Sequence, residues 1–121
     1  MNFLSKLILP ICLVTFSALG GQTIEPTSVT LTYGDSSISA EIGKDKKFAI
    51  IRNNDDEKLE FSGSVTKEYT DYIVDVLVIK DSKSNQSSSE LKTTILVTKE
   101  QFDTLILIGG TNSEMFNITL K

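Results

Sequence analysis

Tyr69-Thr70-Asp71-Tyr72-Ile73-Val74-Asp75-Val76-Leu77-Val78-Ile79-Lys80-Asp81 is the stretch on which the fold turns. Tyr72, Val74, Val76 and Val78 share one parity, and Ile73, Asp75, Leu77 and Ile79 share the other. A run this rich in β-branched and aromatic residues fits a central strand and disfavours a helix. Thr93-Thr94-Ile95-Leu96-Val97 is its expected antiparallel partner. Residues 81–90 between them contain no apolar side chain, and predict a long, exposed, mobile hairpin loop.

The same period of two extends outward on both sides. Val29-Thr30-Leu31-Thr32-Tyr33 and Ile38-Ser39-Ala40-Glu41-Ile42 alternate around the turn Gly34-Asp35-Ser36. Gly43-Lys44-Asp45-Lys46 predicts the next turn, before the strand Phe48-Ala49-Ile50-Ile51-Arg52. A polar loop, Asn53-Asn54-Asp55-Asp56-Glu57, leads into a short strand, Leu59-Glu60-Phe61-Ser62. Thr98 and Gln101 have capping-box spacing, which suggests a single helical turn at 99–103. Thr104-Leu105-Ile106-Leu107-Ile108 then reads as a buried strand ended by a Gly109-Gly110 hairpin turn. Phe116-Asn117-Ile118-Thr119-Leu120 closes the pattern. About eight short strands without a long helix predict an all-β fold, an antiparallel β-sandwich of immunoglobulin-like size or a small barrel.

Residues 1–20 have a different composition. A start with one basic residue, Lys6, precedes an apolar run from Leu7 to Phe16, and Ala18 and Gly20 supply small residues at −3 and −1 of a cut before Gly21. This is the layout of a cleaved secretory signal peptide. The apolar run through Leu19 is too short for a membrane span, which needs about 20 residues. Cys12 follows Ile11 inside that run, not the small residue that lipid attachment requires. The expected mature chain is one β-domain, residues 21–121, periplasmic or extracellular, with no stable membrane insertion. It keeps no cysteine, so it relies on its core and not on disulfides. Of the two Asn-x-Ser/Thr triplets, at Asn85 and Asn117, glycosylation is expected only in a eukaryotic host.

Charge and composition exclude several functions. Losing Lys6 moves the net charge from −4 to −5, which argues against nucleic acid or an anionic membrane as partner. The chain has no His, so Ser-His, Cys-His and imidazole-ligated zinc chemistry are out. The Asn53–Glu57 segment gathers oxygen donors but lacks calcium-loop spacing. Gly109-Gly110-Thr111-Asn112-Ser113 lacks the Lys of a phosphate loop. Asp71 and Asp75 share a strand face, yet lie about 13 Å apart at the rise of a strand, too far for a glycosidase pair. Lys44, Lys46, Lys47 and Arg52 read as turn and edge charges that discourage aggregation.

No cofactor, metal site or catalytic residue is therefore expected. The favoured function is a non-enzymatic binding module of the cell envelope, its partner another envelope or extracellular protein. One alternative is a fibre or pilus subunit, although Gln22-Thr23-Ile24-Glu25-Pro26 makes a poor donor strand. The other is a small carboxylate- or calcium-dependent hydrolase. Among the aromatics, Phe48, Phe61, Tyr72 and Phe116 match core parity. Tyr69 and Phe102 do not, and are the expected partner contacts, at least partly exposed.

Overall fold

The computed structural model describes residues 25–111 and 114–121. The segment 1–20 expected to be a signal peptide, Cys12 within it, and the Asn112-Ser113 end of the glycine-rich segment lie outside them. Eight strands follow in chain order: β1 Ser28–Tyr33, β2 Ser36–Glu41, β3 Lys47–Asn53, β4 Glu57–Glu68, β5 Asp71–Ser82, β6 Ser87–Val97, β7 Ile106–Thr111 and β8 Glu114–Leu120. A 3₁₀ turn at Lys99–Gln101 lies between β6 and β7, where Thr98 N–H donates to Gln101 Oε1 at 3.0 Å.

Two antiparallel four-stranded sheets result, ordered β2-β1-β8-β7 and β3-β4-β5-β6. Neighbours in sequence are neighbours in space, and β8 returns to pair with β1. The chain is thus a meander that comes full circle but is split into two sheets, sandwich-like and not a closed barrel. Its inner parity is the one the alternation marks. Val29, Leu31 and Tyr33 of β1, Tyr72, Val74, Val76 and Val78 of β5, and Phe116, Ile118 and Leu120 of β8 are all buried. Phe48 and Phe61 meet with ring centroids 5.0 Å apart, Tyr33 and Phe116 at 5.6 Å. Tilted pairs at this distance add to the area they bury.

Four local expectations need correction. Residues 81–90 are not a long loop: β5 and β6 stay paired to Ser82–Ser87, leaving a turn of residues 83–86. Asn85 makes that turn, since its Oδ1 accepts from Ser87 N–H at 3.2 Å and Ser87 Oγ at 2.7 Å. The short strand at 59–62 is part of a twelve-residue strand, β4: buried Val65 continues the inner parity of Leu59 and Phe61, and the polar residues Thr66, Lys67 and Glu68 beyond it pair with β5 through the backbone. Gly109-Gly110 is not a hairpin turn. Both residues lie inside β7, and the register shifts between Leu107 and Gly109 as a bulge, with Gly109 at φ 150°. Nor is 104–108 buried throughout: Ile108 is, but Leu105 and Leu107 are more than half exposed on the outer face.

Gly63 positions the long hairpin. It lies opposite Phe48 on one side and Val76 on the other. A Cβ there would overlap the Asp75 carbonyl oxygen and come within 2.7 Å of the Phe48 ring. Only glycine lets β4 and β5 approach this closely.

Candidate functional site

The two expected contact residues lie toward one end of the molecule, Tyr69 in the β4–β5 turn and Phe102 in the β6–β7 connection, where Asp103 N–H donates to the Leu120 carbonyl at 2.9 Å. Tyr69 is 89% exposed. It is not the first residue of β5, as the alternation suggests, but the first of the two residues that turn β4 into β5, since Glu68 pairs with Asp71. Its φ is +59°, a region where a bulky side chain is strained.

The molecule supplies its own comparison. Between β1 and β2, Tyr33 pairs with Ser36, and Gly34-Asp35 form an equally short turn. There the first central residue also has positive φ, +54°, and the residue after it does not. This is the sign pattern of a II′ turn, whose first central position favours glycine. At 34 the chain has the favoured residue. At 69 it has an aromatic in the same strained position, projecting into solvent.

Phe102 is half-buried and packs against the core, so it caps this end of the sandwich and presents only part of its ring. Tyr72, buried two positions after the turn residue Thr70, has its phenol pushed up, first by burial and then by the Glu25 charge.

A second group of polar side chains sits at the opposite end, where no contact residue was expected. Tyr33 donates to Glu57 Oε2 at 2.5 Å and accepts from Arg52 Nη2. Arg52 Nη1 also reaches Ser37 O at 3.2 Å, bridging β3 to β2 across the gap between the sheets. Lys80 Nζ lies 2.6 Å from Glu114 Oε1 and 3.7 Å from Glu57 Oε1. Two cations and two carboxylates thus balance around one phenol. Arg52 is therefore no edge charge of the Lys44–Lys47 kind: it points inward, with its Nε buried and without a partner. Burial and the Glu57 hydrogen bond push the Tyr33 phenol up to about 12. The arrangement ties six strands from both sheets, and among the described residues Arg52 Nε is its one buried side-chain polar atom without a partner. Its outer flank, Lys80 and Glu114, opens onto a polar groove of about 680 Å³ that Ser82, Ser87 and Ser89 also line.

Each such charge carries the inner parity of its strand, Lys80 with Val78, Arg52 with Phe48, Glu57 with Leu59 and Glu114 with Phe116. That parity was the available signal.

The remaining candidates serve the fold. Asn54 Oδ1 accepts from the N–H groups of Asp56 and Glu57, both at 2.9 Å, so the acidic loop is built by its own turn. Asp75 accepts from Thr94 at 2.5 Å and from Ser64 at 3.2 Å, while Asp71 stands at the strand's start. Lys44, Lys46 and Lys47 are exposed around the β2–β3 turn. Among the described residues, no group of three or more acidic or other ligating side chains is placed to hold a metal ion, and no helix is long and apolar enough to cross a membrane. Comparison with known protein families, curated proteins and solved structures finds no match to this chain.

Proposed function

We propose that this chain is a secreted or periplasmic β-domain of the cell envelope that works by binding another protein, without catalysis, through the hairpin tip bearing Tyr69. The observation that carries the reading is the pairing of strain with exposure at that residue. Positive φ costs a bulky side chain roughly 1–2 kcal/mol. At 89% exposure the ring recovers almost nothing by packing. The fold itself gains more from glycine there, as it has at Gly34. An exposed aromatic retained against local preference is the kind of residue that dominates protein interfaces, and strain of this sort clusters at functional positions. Phe102, half-buried against the core in the β6–β7 connection, adds a second, partly covered aromatic.

The test is photocrosslinking in the producing cell from position 69, with Leu107 on the far sheet as a control position. The reading expects one protein captured from 69 and not from 107. The purified captured protein should then bind wild type at least tenfold more tightly than Tyr69→Gly. Equal binding by the two would overturn it, as would turnover of a substrate by the purified chain in a broad hydrolase screen. N-terminal sequencing of the exported form, with a start at Gly21 expected, tests the compartment.

A further inference from the structure

We infer that β6 is a docking edge for a second copy of this chain, joined as an antiparallel β6–β6 pair around a two-fold axis at Leu91. Three observations lead there, independently of Tyr69. First, β6 is eleven residues long, lies at the end of its sheet and pairs with β5 alone among the described residues. The other outer strands, β2, β3 and β7, are six or seven residues long. Second, the facing strand β7 lies against β6, with Gly109 at the Leu91 side chain, but does not pair with it among the described residues. β7 bulges between Leu107 and Gly109, and the inward residues Leu91, Thr93 and Ile95 are only half-buried, whereas those of β5 are buried. Long open edges are templates for further strands.

The third observation selects the partner. A two-fold perpendicular to the sheet keeps both cores on one side and pairs only residues of like parity. Centred on Leu91, it sets Glu90 of each copy opposite Lys92 of the other, twice over. Ser88 then faces Thr94 and Ser89 faces Thr93, hydroxyl pairs that strands favour. Moving the axis to residue 90 or 92 sets Glu90 against Glu90 or Lys92 against Lys92, and repels. Edge charges ordinarily prevent pairing; here their opposite signs, two residues apart, make the edge complementary to itself. Residues 87–95 would exchange roughly eight to ten backbone hydrogen bonds and make one eight-stranded sheet.

Glu90 and Lys92 are exposed, so substitution there spares the core. Sedimentation equilibrium should show wild type dimerising. Glu90→Lys alone and Lys92→Glu alone should each weaken dimerisation by roughly tenfold to a hundredfold, through like charges on both contacts. The double variant should regain it. Mixing the two single variants should give a heterodimer, because every contact in it again joins opposite charges. Circular dichroism confirms that each variant is folded. A wild type still monomeric at roughly 1 mM, a dimer unaffected by either reversal, or single variants that fail to associate when mixed would each overturn the inference.

Discussion

The hydroxyl of Tyr33 donates to Glu57 Oε2 across the gap between the two sheets, at 2.5 Å. Arg52 approaches the same hydroxyl from its other side. One phenol thereby couples β1 to β3 and β4 at the end of a core that has no cystine among its described residues. Tyr33→Phe keeps the ring against Phe116 but leaves Arg52 and Glu57 each short of a partner. Loss of a hydrogen bond to charged groups costs about 1.5–3 kcal/mol. Urea unfolding of the variant should show a stability lower by that amount, read as a lower midpoint with the slope unchanged.

The raised phenol also sets an alkaline limit. In the unfolded chain Tyr33 ionises near its usual 10.0, and in the folded chain at about 12. The fold therefore favours the protonated form. Its contribution is complete below pH 10 and is lost as pH rises through 12. The stability gap between wild type and Tyr33→Phe should be constant from pH 7 to pH 9.5. It should narrow between pH 10 and pH 12, as followed by chemical unfolding at each pH.

Lys80 is shared by Glu57 and Glu114, whereas among the described residues Glu114 pairs with Lys80 alone. Removing the lysine leaves two half-buried carboxylates facing each other; removing Glu114 leaves Lys80 still near Glu57. Lys80→Met should accordingly destabilise by about 2–3 kcal/mol, and Glu114→Gln by about 1 kcal/mol, since both groups are part-exposed and partly screened. A double-mutant cycle measured by urea unfolding should give a coupling below the cost of Lys80→Met alone.

Gly63→Ala asks β4 and β5 to move apart, because the added methyl meets the Asp75 backbone and the Phe48 ring together. Neither obstacle is the free end of a flexible side chain. The expected cost is at least about 3 kcal/mol, which is large for one methyl group. Thermal unfolding should register it as a fall of 12 °C or more, at about 4–8 °C per kcal/mol for a domain of this size.

How far the residues alone carried the fold depended on what each had to satisfy. Tyr72, Val74, Val76 and Val78 must all be buried together, so their parity identified both the strand and its inner face. Residues 66–68 and 87–90 had no such demand. Their pairing comes from backbone hydrogen bonds that continue a ladder begun by apolar neighbours, and a polar sequence carries no trace of that. Gly109 was ambiguous because positive φ serves a turn and a bulge equally. Lys80, Arg52, Glu57 and Glu114 had inner parity at strand ends, but long side chains there reach water as readily as each other. Only the register of both sheets shows that they converge on Tyr33. Exposure at Tyr69 could be read from the pattern; its strain could not, since that depends on the turn being two residues long.

The turn also yields the clearest single-residue contrast in the molecule. Tyr69 and Gly34 occupy the same position of two hairpins, with φ of +59° and +54°. Tyr69→Gly relieves a strain of roughly 1–2 kcal/mol and gives back part of it, about 0.5–1 kcal/mol, as added freedom of the unfolded chain. The ring is exposed, so little burial is lost. The variant should be more stable by about 0.5–1 kcal/mol, a rise of roughly 3–6 °C in melting temperature. Gly34→Tyr should move the midpoint down by a similar amount, because it imposes at one hairpin what the other already bears. If Tyr69→Gly instead lowers the midpoint, the ring contributes to the fold, and its retention would be explained without a partner.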